Sequence, residues 1–208
     1  MSNAKTNSAA GDISPLASTV AAITAPEVDQ AVAVICLAFS SDPAARWTYP
    51  DPHAYVSYFP RIVRAFGGKS FEQGTGHQVS GFRGAALWLP PGVHPDHEAL
   101  GAIMQESLAA DRLEEVSGVF ERMGGYHPAE PHWYLPMIGV DPVHQGRGYG
   151  SALLRHALLQ CDKDHVAAYL ESSNPANVPL YERHGFVVLG TIQVGSSPPI
   201  FPMLRAAI

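Results

Sequence analysis

The 208-residue chain is poor in the features that mark secreted, membrane and nucleic-acid-binding proteins. It has only two cysteines, Cys36 and Cys161, each inside an apolar periodic segment. Both read as buried thiols, so no disulfide framework is expected and a reducing cytoplasm fits best. No apolar run approaches the ~20 residues that a membrane-spanning helix needs. No basic region followed by an apolar core stands near Met1, so no signal peptide is expected. Cationic residues are outnumbered, 13 Lys and Arg against 19 Asp and Glu, for a formal charge of −6. Without a basic stripe to neutralise phosphates, the sequence argues against a nucleic-acid partner. A mildly acidic surface suits a cationic substrate instead. His94 with His97, and His127 with His132, fall in proline-rich stretches without a cysteine or carboxylate at a zinc spacing. They read as surface loop residues, and no metal site is expected. No internal repeat is evident.

What the chain does have is enough apolar residue, 46%, to bury one sizeable core. One domain over 15–208 is expected, after a disordered tail at 1–14. The organising stretch is Trp133 to Gly150. Trp133 to Val140 is rich in aromatic and branched apolar residues, as a buried strand should be. Asp141-Pro142 stops it, and glycines alternate at Gly146, Gly148 and Gly150 before a helical apolar pattern begins. Glycines at a helix start let backbone N–H groups approach a phosphate, where the helix dipole also favours negative charge. No Gly-Lys-Ser/Thr follows, so this is not a P-loop. An ordinary tight strand–helix turn would read the same way.

Before it, Leu16 to Thr24 reads as a strand and Pro26 opens a helix faced by Val28, Val32, Ile35 and Phe39. Arg46 to Pro52 reads as an aromatic loop, and His53 to Phe66 as a helix. Phe71–Ser80 and Phe82–Leu89 suggest a hairpin, and 95–123 suggests two helices broken near Ser117-Gly118. Beyond the central helix come a strand at Val166–Glu171, a short helix at Asn177–His184, and closing strands at Phe186–Val194 and Ile200–Arg205. Strands alternating with helices, closed by a hairpin, describe a mixed α/β sheet. Pro136 is the oddity in the central strand. It removes a ladder donor, so the strand must be bulged or unpaired there.

Gln145-Gly-Arg-Gly-Tyr-Gly resembles the pyrophosphate loop of the GCN5-related N-acetyltransferases (GNAT superfamily). Asn174-Pro-Ala-Asn-Val-Pro-Leu-Tyr-Glu-Arg-His-Gly-Phe186 resembles that family's second signature, in the right order and about forty residues on. The resemblance runs from about Pro131 to the C-terminus. It implies an acyl-CoA N-acyltransferase fold, with a mostly antiparallel sheet flanked by helices, and acetyl-CoA as cosubstrate. Leu170-Glu-Ser, the Asn177–Phe186 run and the closing Pro-Met-Leu-Arg are similar to puromycin N-acetyltransferase-like members, which implies an aromatic or hydrophobic small-molecule amine.

The resemblance also implies roles. The pantetheine arm would pair along Ile138, Gly139 and Val140, with the Val140 N–H polarising the thioester carbonyl. Gln145, Gly146, Arg147, Gly148, Tyr149, Gly150 and Ser151 would hold the pyrophosphate. Asn174, otherwise a helix cap, and Asn177, one helical turn before Tyr181, would hold the arm. Tyr181, otherwise a packing aromatic, would protonate the leaving thiolate. Glu171, which usually would be a solvated strand end, is the candidate base, because an alkyl amine with a pKa near ~10 must lose a proton before it attacks. Among the aromatics, Trp47, Tyr49 and Tyr126 are placed near substrate. No cysteine sits in either motif, which favours direct transfer in a ternary complex. The alternatives are O-acetylation of a hydroxyl and a non-catalytic acetyl-CoA-binding module. A monomer or homodimer is expected.

Overall fold

The computed structural model describes residues 19–208, so the tail expected at 1–14 and the start of the first expected strand lie outside the described residues. Seven strands form one sheet in the order β1-β2-β3-β4-β5-β7-β6. They are β1 (Val20–Ala22), β2 (Gly76–Val79), β3 (Gly84–Leu89), β4 (His132–Val140), β5 (Ala167–Ser172), β6 (Val187–Val188) and β7 (Phe201–Arg205). Every neighbouring pair is antiparallel except β4 and β5, which run parallel. This is the mixed, mostly antiparallel α/β sheet expected from the sequence.

Helices cover both faces. On one lie α1 (Val28–Ala38), α2 (Pro43–Thr48), α3 (Pro52–Gly67), α5 (His97–Ser107) and α6 (Ala110–Gly124), whose apolar faces meet Leu87 and Met137 of the sheet in one core. On the other, α7 (Tyr149–Asp164) buries Leu153, Leu154, Leu158 and Cys161 against Trp88, Leu135 and Leu170. The short helices α4 (Lys69–Glu72) and α8 (Val178–Glu182) sit at the ends of strands.

The central strand changes phase midway. Leu87 pairs with Met137, but Leu89 pairs with Tyr134, so β4 carries one residue too many around Leu135-Pro136. Such a bulge follows from a proline that cannot donate to the ladder. Its consequence is visible in the packing. Trp133 and Leu135 face α7, and after the extra residue it is Ile138 and Val140 that do, while Met137 turns to the α1 side. Gly139 is pressed against α1: a Cβ there would stand 2.5 Å from that of Ala38.

Several local expectations are corrected. Arg46, Trp47 and Thr48 are helical, not loop. Asp42 caps α2 by accepting the Ala44 and Ala45 N–H groups at 3.0 Å, and Pro43 occupies the first turn. The break between α5 and α6 falls at Leu108-Ala109, not at Ser117-Gly118, because Gly118 stays helical where its missing side chain admits Val194. Phe71 and Glu72 belong to α4, which leaves Gly76–Val79 as the hairpin's first arm. The expected strand Phe186–Val194 shrinks to Val187–Val188, with one further bridge between Ile192 and Ile200.

Candidate active site

β4 and β5 pair from His132↔Ala167 to Leu135↔Leu170 and then part. On the other side β4 stays paired with β3 through Gly84↔Val140, and the Asp141 N–H donates to the Arg83 carbonyl. Antiparallel ladders alternate, so residues 137, 139 and 141 bond toward β3. The N–H groups of Ile138 and Val140 therefore point into the gap left by β5. A cavity of about 720 Å³ opens there.

The turn after β4 leads straight into α7. Asp141 caps a single 3-10 turn, accepting the Val143 N–H at 3.1 Å, and Gln145 folds back to donate to the Val140 carbonyl at 3.2 Å. Gly146 and Gly148 have φ of +74° and +82°, which only glycine adopts without strain. Gly148 caps α7 with no side chain on the helix end, so the first N–H groups of the helix are open to an anion. Tyr149, Gly150 and Ser151 line the cavity with them. Arg83 donates to the Tyr149 hydroxyl at 2.6 Å and steadies that first turn.

Tyr181 reaches the cavity from α8 and is 6% exposed. Its ring packs edge-on against Phe186, and its hydroxyl has no protein partner among the described residues. Burial, and secondarily the Asp42 carboxylate, push its pKa well above the usual phenol range. The phenol therefore keeps its proton at rest. A thiolate generated beside it would be desolvated too and so equally hungry for a proton. Asn174 spends its side-chain oxygen capping the turn before α8, accepting the Ala176 N–H at 3.0 Å, while its amide hydrogens remain available. Asn177 lines the cavity without a capping bond.

Glu171 lies at the end of β5 with its side chain 3% exposed. It is not the solvated strand end that its position alone suggests. The Tyr134 hydroxyl donates to one carboxylate oxygen at 2.9 Å, and His127 Nε2 stands 3.3 Å from the other. The surface-loop reading of the pair is thereby corrected: His132 opens β4, while His127 stays in the preceding loop but is half-buried, and the two rings meet Tyr169 edge-on and tilted.

Trp47 and Tyr49 line the opposite wall of the same cavity, with Phe39, Phe66 and Phe120. Tyr126 does not. Carried past α6 by Gly124-Gly125, it packs on Ile192 and Ile200, with its hydroxyl against Gly190. Arg147 also points away, donating to the Val143 carbonyl at 3.4 Å. Asp42 was missed. Besides capping α2, it accepts the Ser173 hydroxyl at 2.6 Å, so one buried carboxylate ties the helical wall to the end of β5. An aspartate immediately before a proline is the available signal in the sequence. The two thiols are poor nucleophiles: burial pushes Cys36 up to about 11 and Cys161 up to about 12.

Comparison with known proteins agrees with this geometry. Residues 93–186 match the acetyltransferase (GNAT) family. A solved Corynebacterium glutamicum structure, described as histone acetyltransferase HPA2 and related acetyltransferase, superposes with a TM-score of 0.66 at 26% identity, over 92% of this chain and 97% of that one. A Drosophila melanogaster polyamine N-acetyltransferase shares the fold, with a TM-score of 0.62 at 13% identity over 90% and 97% of the two chains. An uncharacterised N-acetyltransferase of Schizosaccharomyces pombe is 44% identical over 55 residues, 26% of this chain and 22% of that protein. A mycothiol acetyltransferase of Gordonia bronchialis is 31% identical over 108 residues, 45% and 35% of the two. The chain thus spans well under half the length of the curated relatives it matches.

Proposed function

We propose that this chain, whose sheet and residues 93–186 are those of the GNAT acetyltransferases, transfers the acetyl group of acetyl-CoA to the amine of a small, hydrophobic or aromatic molecule. The observation that carries this reading is the parting of β4 and β5 after Leu135↔Leu170. It leaves two N–H groups with no strand to bond to, in a cavity that also holds an unpartnered phenol and an uncapped helix end. An amide-bearing arm fits the free edge, a pyrophosphate fits the helix end, and a carbonyl fits the Val140 N–H.

Both substrates are bound together in this reading. The Val140 N–H holds the charge that develops on the carbonyl oxygen, a contact worth about 3 kcal/mol. Glu171 takes one proton from the acceptor ammonium before attack; as the intermediate collapses, Tyr181 protonates the leaving sulfur and is reprotonated by the second proton that nitrogen sheds. The acceptor wall supports a hydrophobic amine: it is aromatic and apolar, and the cavity it closes holds two buried carboxylates, Asp42 and Glu171. That composition suits the bulky acceptor implied by the likeness to puromycin N-acetyltransferase-like members. Thiol release from acetyl-CoA, measured with panels of amines and alcohols, tests the proposal. Turnover that depends on hydrophobic primary amines is the expected result. Turnover only with alcohols, or tight acetyl-CoA binding without any turnover, would refute it.

A further inference from the structure

Behind Glu171, away from the cavity, a chain of rings runs outward. The Glu130 carbonyl can only accept, so His132 Nδ1, 2.8 Å away, carries its hydrogen. A neutral His132 then presents a lone pair at Nε2, which lies 3.1 Å from His127 Nδ1 and takes that ring's hydrogen. His127 is left with its own lone pair at Nε2, 3.3 Å from the Glu171 carboxylate. Two facing lone pairs repel. The contact becomes attractive only when one proton sits between them, as imidazolium and carboxylate or as imidazole and acid.

The surroundings favour that arrangement. Burial lowers the pKa of His132, helped by His127 and His94 and opposed by the Glu130 carbonyl and Glu171, which keeps the outer ring neutral. The other groups around the pair are the phenols Tyr134 and Tyr169, with Tyr126 beyond Tyr169. Burial raises both Tyr134 and Tyr169, so neither competes as a charge. Exposure supplies direction, from the Glu171 side chain at 3% to the His127 side chain at 29%.

We propose that His127 is the proton exit of this site, taking from Glu171 the proton that the acceptor amine loses, and that His132 is the positioning residue that holds His127 in the accepting tautomer. The inference rests on the acetyl-transfer reading above. An N–H bond of the bound ammonium breaks and its electron pair stays on nitrogen for attack. The proton passes to the Glu171 carboxylate and on to His127 Nε2, and the resulting imidazolium gives it to water. The pair must be free of its proton before each turnover, so activity should show an acid limb that depends on both groups.

Steady-state acetylation across the acidic and neutral range tests this, together with histidine ¹⁵N NMR of the full chain. His127→Gln can still donate to Glu171 but cannot carry a proton. It should lower kcat by about 10²-fold, the lower end of a general base's contribution, and move the acid limb to lower pH, with acetyl-CoA affinity unchanged. His132→Leu should lower kcat about tenfold, and His132→Gln, which keeps an acceptor toward His127, should recover most of it. An acid limb that does not move in His127→Gln overturns the proposal. So does an Nε2–H tautomer at His127 in the unmodified protein, an outcome readable even if a variant fails to fold. If no amine is acetylated while His127 shows the Nδ1–H tautomer, the acetyl-transfer reading fails and the proton-sharing pair stands.

Discussion

The two walls of the cavity are built from different material. The wall assigned to the cofactor comes from two short stretches, the end of β4 through the start of α7 and the end of β5 through α8, and its working groups are mostly backbone. The wall assigned to the acceptor comes from α1, α2, α3, α5 and α6, and its working groups are side chains: Phe39, Trp47, Tyr49, Phe66, Met104 and Phe120. Backbone chemistry demands particular residues, because only a proline or bulge frees a strand edge and only glycine turns the chain at positive φ. A wall of apolar side chains demands only bulk, which core residues also supply. The first wall is therefore tied to one ligand, and the second can be rebuilt for another.

The sharpest way to break this contrast is Tyr181, a side chain at work on the backbone wall. Tyr181→Phe keeps the packing on Phe186 and deletes only the hydroxyl. If that hydroxyl protonates the leaving thiolate, kcat should fall by about 10²–10⁴-fold. Affinity for acetyl-CoA should change far less, because the proton acts mainly in the transition state. The fall should shrink for a thioester whose thiol is more acidic. An equal fall for good and poor leaving thiols would mean that the hydroxyl positions the cofactor instead.

A second test separates ligand binding from backbone strain. Gly148→Val places a branched side chain at φ +82°, which costs at least ~1–2 kcal/mol, and puts a Cβ at the open helix end. Acetyl-CoA affinity measured by calorimetry should fall about tenfold or more, since ~1.4 kcal/mol is a factor of ten. Gly81→Val is the control, with a similar φ of +71° in the turn between β2 and β3 and nothing within 4 Å. It should lower the melting temperature and leave affinity alone. Equal affinity losses in both variants would show that strain, not the site, is responsible.

The same contrast explains what could be read in advance. Pro136 announced its bulge, the alternating glycines announced the turn into α7, and the periodicity of 151–160 announced the helix, because each is a local demand of the backbone. The acceptor wall was legible only as a list of aromatics. Trp47 and Tyr49 belong to it and Tyr126 does not, yet nothing local distinguishes them: the difference arises where α6 ends and the closing hairpin lies. Asp42 and Ser173 are 131 positions apart, and His127 and Glu171 are 44 apart (171 − 127), so their contacts exist only once the sheet has formed. Glu171 was legible as an ionisable group near the end of β5. That its carboxylate is buried among two phenols and an imidazole could not be read from its neighbours in sequence.

The smallest expected effect concerns Trp47, which tests whether the acceptor wall recognises substrate at all. Its ring lines the cavity under the Arg112 guanidinium, 4.6 Å from the ring centroid, and its N–H donates to Ser196 at 3.0 Å. Glu115 holds the same serine through both its backbone N–H and its hydroxyl at 2.8 Å. Ser196 therefore stays in place without Trp47, and the two functions of the indole can be separated. Trp47→Phe deletes the hydrogen bond, keeps most of the apolar surface, and should leave KM for a hydrophobic amine within about twofold, because an exposed side-chain hydrogen bond contributes little net free energy. Trp47→Ala removes the surface itself. Full burial of a large apolar side chain is worth about 1.5–3 kcal/mol, and only part of this ring faces the cavity. KM for the amine should therefore rise up to about tenfold, with kcat and acetyl-CoA affinity unchanged. The rise should be largest for the bulkiest amine and vanish for a short one that cannot reach α2. A rise that is the same for every amine would mean that Trp47 holds α2 in place rather than touching the acceptor, and an unchanged KM would remove this wall from recognition.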